Sequence, residues 1–172
     1  MSELIAAAQG AVPVAYHTFW LADTGVNGPQ LPLTPSNGLI VAQPGIAVIF
    51  TGIHTGKVAV SIEVRNQAPQ VTTSGWDEVV EVTMEVITGR VVVTGAQADA
   101  PDNLPVLTQG GPGHYRVRVH ARGRDTAVDL VAVEPVEDYL IMVWPGRPAS
   151  ETTYRQSDQY GATLRQAASK ST

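Results

Sequence analysis

The stretch Tyr115-Arg116-Val117-Arg118-Val119-His120-Ala121-Arg122 decides the reading of the fold. Its side chains alternate with period two. Tyr115, Val117, Val119 and Ala121 therefore share one face of an extended strand, and Arg116, Arg118, His120 and Arg122 share the other. Together with Arg124, four of the eleven Lys and Arg residues fall within nine positions, in a chain whose net charge is −5. Such a strand has an apolar side for a core and a cationic side that must meet either a partner or the protein's own acids.

The same alternation recurs on both sides of it. Val58, Val60, Ile62 and Val64 point inward from a strand over 58–65, and Val80, Val82, Met84 and Val86 do so from one over 76–87. Residues 12–23 carry apolar groups on both faces, as a well-covered strand does. Strands over 39–42 and 46–53 flank the Pro44-Gly45 turn, in which Pro presets one φ and Gly accepts the positive φ of the next. Residues 90–94 are expected to form a hairpin with 76–87 across Gly89, and 127–133 and 138–144 complete the set. Loops rich in Pro and Gly occupy 24–37 and 98–113. Strands at intervals of roughly 8–12 residues, with no helix expected before residue 150, predict an all-β fold, an antiparallel β-sandwich of jelly-roll-like form. The expected organisation is an N-terminal lead-in over 1–11, a single sandwich domain over 12–146, and a polar tail over 147–172. That tail has room for a short helix around Ser157–Ala168, and its last residues are expected to be mobile.

Length and composition bound the function. A chain of 172 residues with 44% hydrophobic residues can bury a real core. Its negative charge argues against a general nucleic-acid binder and for a basic partner. The absence of cysteine excludes a disulfide framework, a thiolate metal site and a cysteine nucleophile. No basic start and long apolar run marks a signal peptide, and no stretch approaches 18 apolar residues, so a cytoplasmic protein away from the membrane is expected.

No catalytic constellation is evident. The four histidines, His17, His54, His114 and His120, include no His-x-His pair, and His114 and His120 would lie about 20 Å apart along one strand. No metal or other cofactor is expected, and His17 reads as a core histidine. There is no Gly-x-Ser-x-Gly elbow, and Gly110-Gly111-Pro112-Gly113 lacks the Lys and Ser/Thr of a phosphate loop. Trp20, Trp76 and Trp144 allow a carbohydrate-stacking platform, though rings at strand ends more simply cap the core. For the arginine face two readings stand. Arg116, Arg118 and Arg122 can form a solvent-exposed charge ladder with Asp77, Glu81 and Glu85 on a neighbouring strand, the plainer reading, or they can receive an anion.

The order of features has a counterpart. The run Val14-Ala15-Tyr16-His17-Thr18-Phe19, a Gly/Pro-rich loop, a strand after Gly38, the Lys57–Arg65 strand, the acidic strand at Trp76 and the Gly113-His114-Tyr115-Arg116-Val117 motif follow one another over about residues 12–144. This layout resembles the competence protein J family, inhibitors of the nuclease that serves DNA uptake, and also small bacterial proteins of undefined role. The 98–113 excursion and the tail after Trp144 depart from the pattern. The resemblance implies a non-enzymatic binding protein, an inhibitor or immunity-type partner of a basic nuclease or toxin; the alternative is a ligand-binding sandwich, for instance for a sugar. If acids make the contact, the candidates are Glu78, Glu81, Glu85, Asp125, Asp129, Glu137 and Asp138. The oligomeric state is left open.

Overall fold

In the computed structural model, which describes residues 1–170, the chain runs through β1 (Leu4–Val14), β2 (Thr18–Asp23), β3 (Ile40–Gln43), β4 (Ile46–Phe50), β5 (Thr55–Arg65), β6 (Glu78–Val86), β7 (Val91–Gly95), β8 (Gly113–Arg122), β9 (Val131–Ala132), β10 (Asp138–Pro145) and β11 (Thr152–Gln156), then helix α1 (Gln159–Lys170). The larger sheet has the order β1-β5-β10-β8-β6-β11, with β9 added beside β5; the smaller has the order β3-β4-β2-β7. The two sheets pack face to face as a sandwich. The alternating segments supply its core: Val60, Ile62, Val80, Met84, Val117, Val119 and Ile141 meet Phe19, Leu21, Ile49 and Val93, all essentially buried. A second apolar cluster lies around Ile46, Val48 and Phe50, where Leu33 and Leu164 of α1 also pack. Among the described residues no helix is long and apolar enough to cross a membrane.

Several elements differ from the sequence expectation. Residues 4–14, expected largely as a loose lead-in, form a long strand paired with β5 from Leu4↔Arg65 to Val14↔Gly56. Its alanines favour helix in isolation, and the pairing overrides that preference. The single strand expected over 12–23 is broken at Tyr16 and His17, whose φ values of 53° and 65° swing the chain from the larger sheet to the smaller. Likewise β6 and β7 form no hairpin, because they lie in different sheets.

Asp23 builds that corner. Its carboxylate accepts hydrogen bonds from the backbone N–H groups of Ile87 and Thr88, each at 2.7 Å, from that of Arg90 at 3.1 Å and from the Thr88 hydroxyl. Burial pushes this carboxyl up, but the four bonds outweigh it and hold it below the usual range. The sheet is also not purely antiparallel: β10 runs parallel to β5, from Asp138↔Ala59 to Val143↔Val64. Residues 127–133 yield only the two-residue β9. The polar tail is largely ordered structure, with β11 paired to β6 and α1 over Gln159–Lys170 where a short helix around Ser157–Ala168 was expected; its Ser171 and Thr172 lie outside the described residues.

Candidate protein-binding surface

On the arginine face of β8, Arg116 and Arg118 are covered and Arg122 is exposed. Glu81 sits opposite Arg118 in the β6–β8 register and takes both neighbouring arginines. Its Oε2 accepts from Arg116 Nε at 3.0 Å and its Oε1 from Arg118 Nε at 2.9 Å. Arg116 Nη1 also donates to the Thr83 hydroxyl and the Ala149 carbonyl, and Arg118 to the Pro69 carbonyl. The rings of Trp144 and Tyr154 lie 4.9 and 5.6 Å from the Arg118 guanidinium, so that this side chain is only 2% exposed. Segments 67–75 and 145–155 thus roof what the sequence suggested was a solvated ladder. Arg122 turns elsewhere, to Asp138 at 3.0 Å and over the Trp76 ring at 4.5 Å. Asp77 accepts from the Gly123 N–H, and Glu85 lies 3.9 Å from His114.

A second ionic group closes one end of the sandwich. Arg124 is fully buried: its Nε and Nη2 form a fork on Asp158 at 2.8 and 2.9 Å, while Nη1 donates to the Gly38 and Phe50 carbonyls. Burial disfavours the cation, yet Asp158 and Glu78 hold it above its ordinary value. Glu78 accepts from the Ser157 and Asp158 N–H groups and pairs with Arg165 at 3.0 Å. Burial pushes its carboxyl up, and the Asp158 charge adds to this against the two arginines. Glu137 accepts from Gly52 N–H, Ile53 N–H and the Tyr139 hydroxyl. Burial, with Glu137 adjacent, pushes Tyr139 well up. Among the described residues every buried side-chain nitrogen and oxygen has a hydrogen-bond partner.

These placements divide the acids named from sequence. Glu78, Glu81 and Glu137 are buried and internally bonded, which removes them from any partner surface. For two of them the burial follows the strand phase: Glu78 is in phase with Val80 and Val82 of β6, and Glu137, just before β10, with Tyr139 and Ile141. Glu85, Asp125 and Asp129 are exposed, and Asp138 is half-exposed. Asp125 has a structural task too, accepting from the Gln159 and Tyr160 N–H groups at the start of α1.

The exposed acids Asp125 and Asp129 belong to the loop over 125–137, at the end that Arg124 closes. Its position is set from beneath. Asp129 N–H donates to the Gly52 carbonyl, His54 N–H to the Leu130 carbonyl, and Val131 and Ala132 pair with Thr55 and Gly56. A Cβ on Gly52 would lie 1.9 Å from the Arg124 carbonyl oxygen, and one on Gly56 2.0 Å from that of Ala132, so both approaches require glycine. Tyr16, His17 and Asp129 are the non-glycine residues with positive φ among those described, and all three meet here.

His17 is half-buried at this junction, not in the core. Its Nε2 lies 2.9 Å from Asp129 Oδ1, and its Nδ1 2.9 Å from the Thr51 carbonyl oxygen and 3.0 Å from the Tyr160 hydroxyl. Tyr160 stacks on it at 5.7 Å, and the ring of His54 meets it edge-on at 5.2 Å. Burial pushes the Tyr160 hydroxyl up to about 12. Among the described residues no three His, Asp or Glu side chains form a group that could hold a metal ion. Glu134, exposed on the same loop, reads from sequence as a solvated acid and was not among the partner-contact candidates, nor was the role of His17 foreseen; the available signal was a run from 125 to 146 without a single Lys or Arg.

No protein-family model matches the chain, and no curated protein matches it. Two solved structures do. One is ComJ from Bacillus subtilis, an inhibitor of the DNA-degrading activity of NucA, with a TM-score of 0.55 and 13% identity over 85% of this chain and 99% of ComJ. The other is described as crocagin biosynthetic gene J, with a TM-score of 0.51 and 16% identity over 86% of this chain and 99% of the other. At these identities the likeness is one of fold, and it is in the fold that the distant resemblance read from the sequence to the competence protein J family is seen.

Proposed function

We propose that the chain is a non-enzymatic binding protein that neutralises a nuclease or a toxin of similar chemistry, acting in a bacterial cytoplasm. One observation carries the reading. Arg116, Arg118 and Arg124 are buried and Arg122 is paired with Asp138, while residues 125–136 are largely exposed, carry Asp125, Asp129 and Glu134, and hold no Lys or Arg. A surface of that sign is attracted to the basic groove a nuclease uses for its substrate, and the attraction speeds association. The fold shared with ComJ, an inhibitor of a DNA-degrading enzyme, supports the same reading. The sugar-binding alternative finds less support, since Trp144 is buried and Arg122 lies over Trp76.

The test is a DNA-digestion assay. Purified chain is titrated into reactions with NucA and with basic endonucleases isolated from the native host, and complexes are followed by size-exclusion chromatography. Stoichiometric loss of cleavage by at least one of these enzymes, with a co-eluting complex, is expected. Undiminished cleavage by all of them would overturn the reading.

A further inference from the structure

We infer that the loop over 126–136 is a preformed wedge that enters its partner apolar side first, and that the partner presents a cleft with a basic rim around an apolar floor. The inference rests on the nuclease-inhibitor reading and names the surface and partner chemistry that reading leaves open.

The starting point is an excess of exposed aliphatic surface. Leu130, Val131 and Val133 are 60%, 69% and 70% exposed, and Val128 and Val136 of the same loop are also exposed. Tyr16, 66% exposed, stands beside them with its ring 5.6 Å from His54, whose N–H holds the Leu130 carbonyl. Scattered apolar side chains on a surface need no explanation, but six on or beside one loop concentrate exposed apolar surface in the way that marks an interaction site.

The patch is also held out by the fold. Its backbone is bonded to Gly52, His54, Thr55 and Gly56, and the buried Arg124 and Glu137 anchor the two ends of the loop. A loop tied down in this way cannot fold its valines back into the core. It also loses little conformational entropy on docking, so more of the apolar contact appears as affinity.

Charge selects the occupant. Asp125, Asp129 and Glu134 lie on the loop among the aliphatic groups and Asp138 follows it, and the basic groups beside these acids are already engaged, His17 with Asp129 and Arg122 with Asp138. A second copy of the chain would set these acids against one another, and an anionic lipid surface or nucleic acid would repel them. A protein cleft lined with Lys and Arg is attracted. Aromatic and aliphatic groups at the centre with charges at the rim is the usual division between anchor residues and steering residues.

The experiment uses the full chain in its native host, carrying a photoreactive amino acid at position 130 or 133, or at the control positions 31 and 87. Leu31 and Ile87 are exposed as well, Ile87 at the far end of β6. The expected result is crosslinking from 130 and 133 to a net-basic, nucleic-acid-cleaving protein. For that enzyme the purified Leu130→Ala variant should inhibit at least about tenfold more weakly, while its thermal midpoint stays that of the wild type. Inhibition of a nuclease together with crosslinks confined to 31 or 87, and an unchanged Leu130→Ala variant, would overturn the wedge and leave the inhibitor reading intact. Crosslinks from 130 to lipid, to a second copy or to a protein without basic charge would overturn the wedge. No crosslink at any position and no inhibited nuclease would overturn both.

Discussion

Arg124 and Leu130 are six residues apart and have opposite fates: a guanidinium fully buried, and an isobutyl group left 60% in water. Composition alone would place them the other way round. The buried charge is tolerated because Asp158, two carbonyls and Glu78 satisfy it, and it holds the loop base in place. The exposed apolar group is tolerated because that base prevents collapse. The ionic frame is thus expected to govern stability, and the loop, under the proposed reading, to govern binding.

The sharpest way to break this contrast is at the frame. Arg124→Met should cost about 3–5 kcal/mol in urea unfolding, because Asp158 and Glu78 are then buried without their main counter-ion. Glu81→Gln leaves Arg116 and Arg118 without their shared carboxylate, and a loss of roughly 2–4 kcal/mol is expected by the same measurement. A frame variant that unfolded like the wild type would show that these pairs contribute nothing net. Gly52→Ala, whose added methyl meets the Arg124 carbonyl, should cost about 1–3 kcal/mol and weaken binding as well, since it shifts the loop base. Leu130→Ala is the smallest in stability, within roughly 0.5 kcal/mol, and should act on complex formation alone.

A pH titration sharpens the comparison further. Burial pushes His120 below its ordinary value, with the Arg118 charge working in the same direction, against the bond to the Leu140 carbonyl and the Glu63 charge. Below about pH 6.5 the unfolded chain takes up a proton on this histidine that the folded chain refuses, so stability falls as the pH drops from there toward the folded value. His120→Gln, which keeps a donor for Leu140, should flatten that part of the stability curve. An unchanged slope would place the acid sensitivity elsewhere.

What could be read in advance follows the range of the forces involved. The strands over 58–65, 80–86 and 115–122 were legible because alternation is local. The Pro44-Gly45 hairpin was legible for a similar reason, with Gly45 at a φ of 79°. Membership of a sheet was not. Whether residues 91–95 pair with β6 or with β2 depends on Asp23, more than sixty residues earlier, gathering the corner. The burial of Arg116 and Arg118 was hidden too, because their roof comes from 67–75 and 145–155. At the candidate surface, the lack of basic residues was visible, but the burial of three candidate acids and the exposure of the valines required the fold.

The carboxylate that forks Arg124 carries a consequence for the order of assembly. Asp158 is synthesised 34 residues after Arg124, behind β10 and β11. During translation the strands on either side of the loop can pair well before the ion pair that fixes its base exists. The loop proposed to meet a partner therefore has its base fixed late, and a nascent chain stalled before residue 158 would present that loop on an unfinished footing.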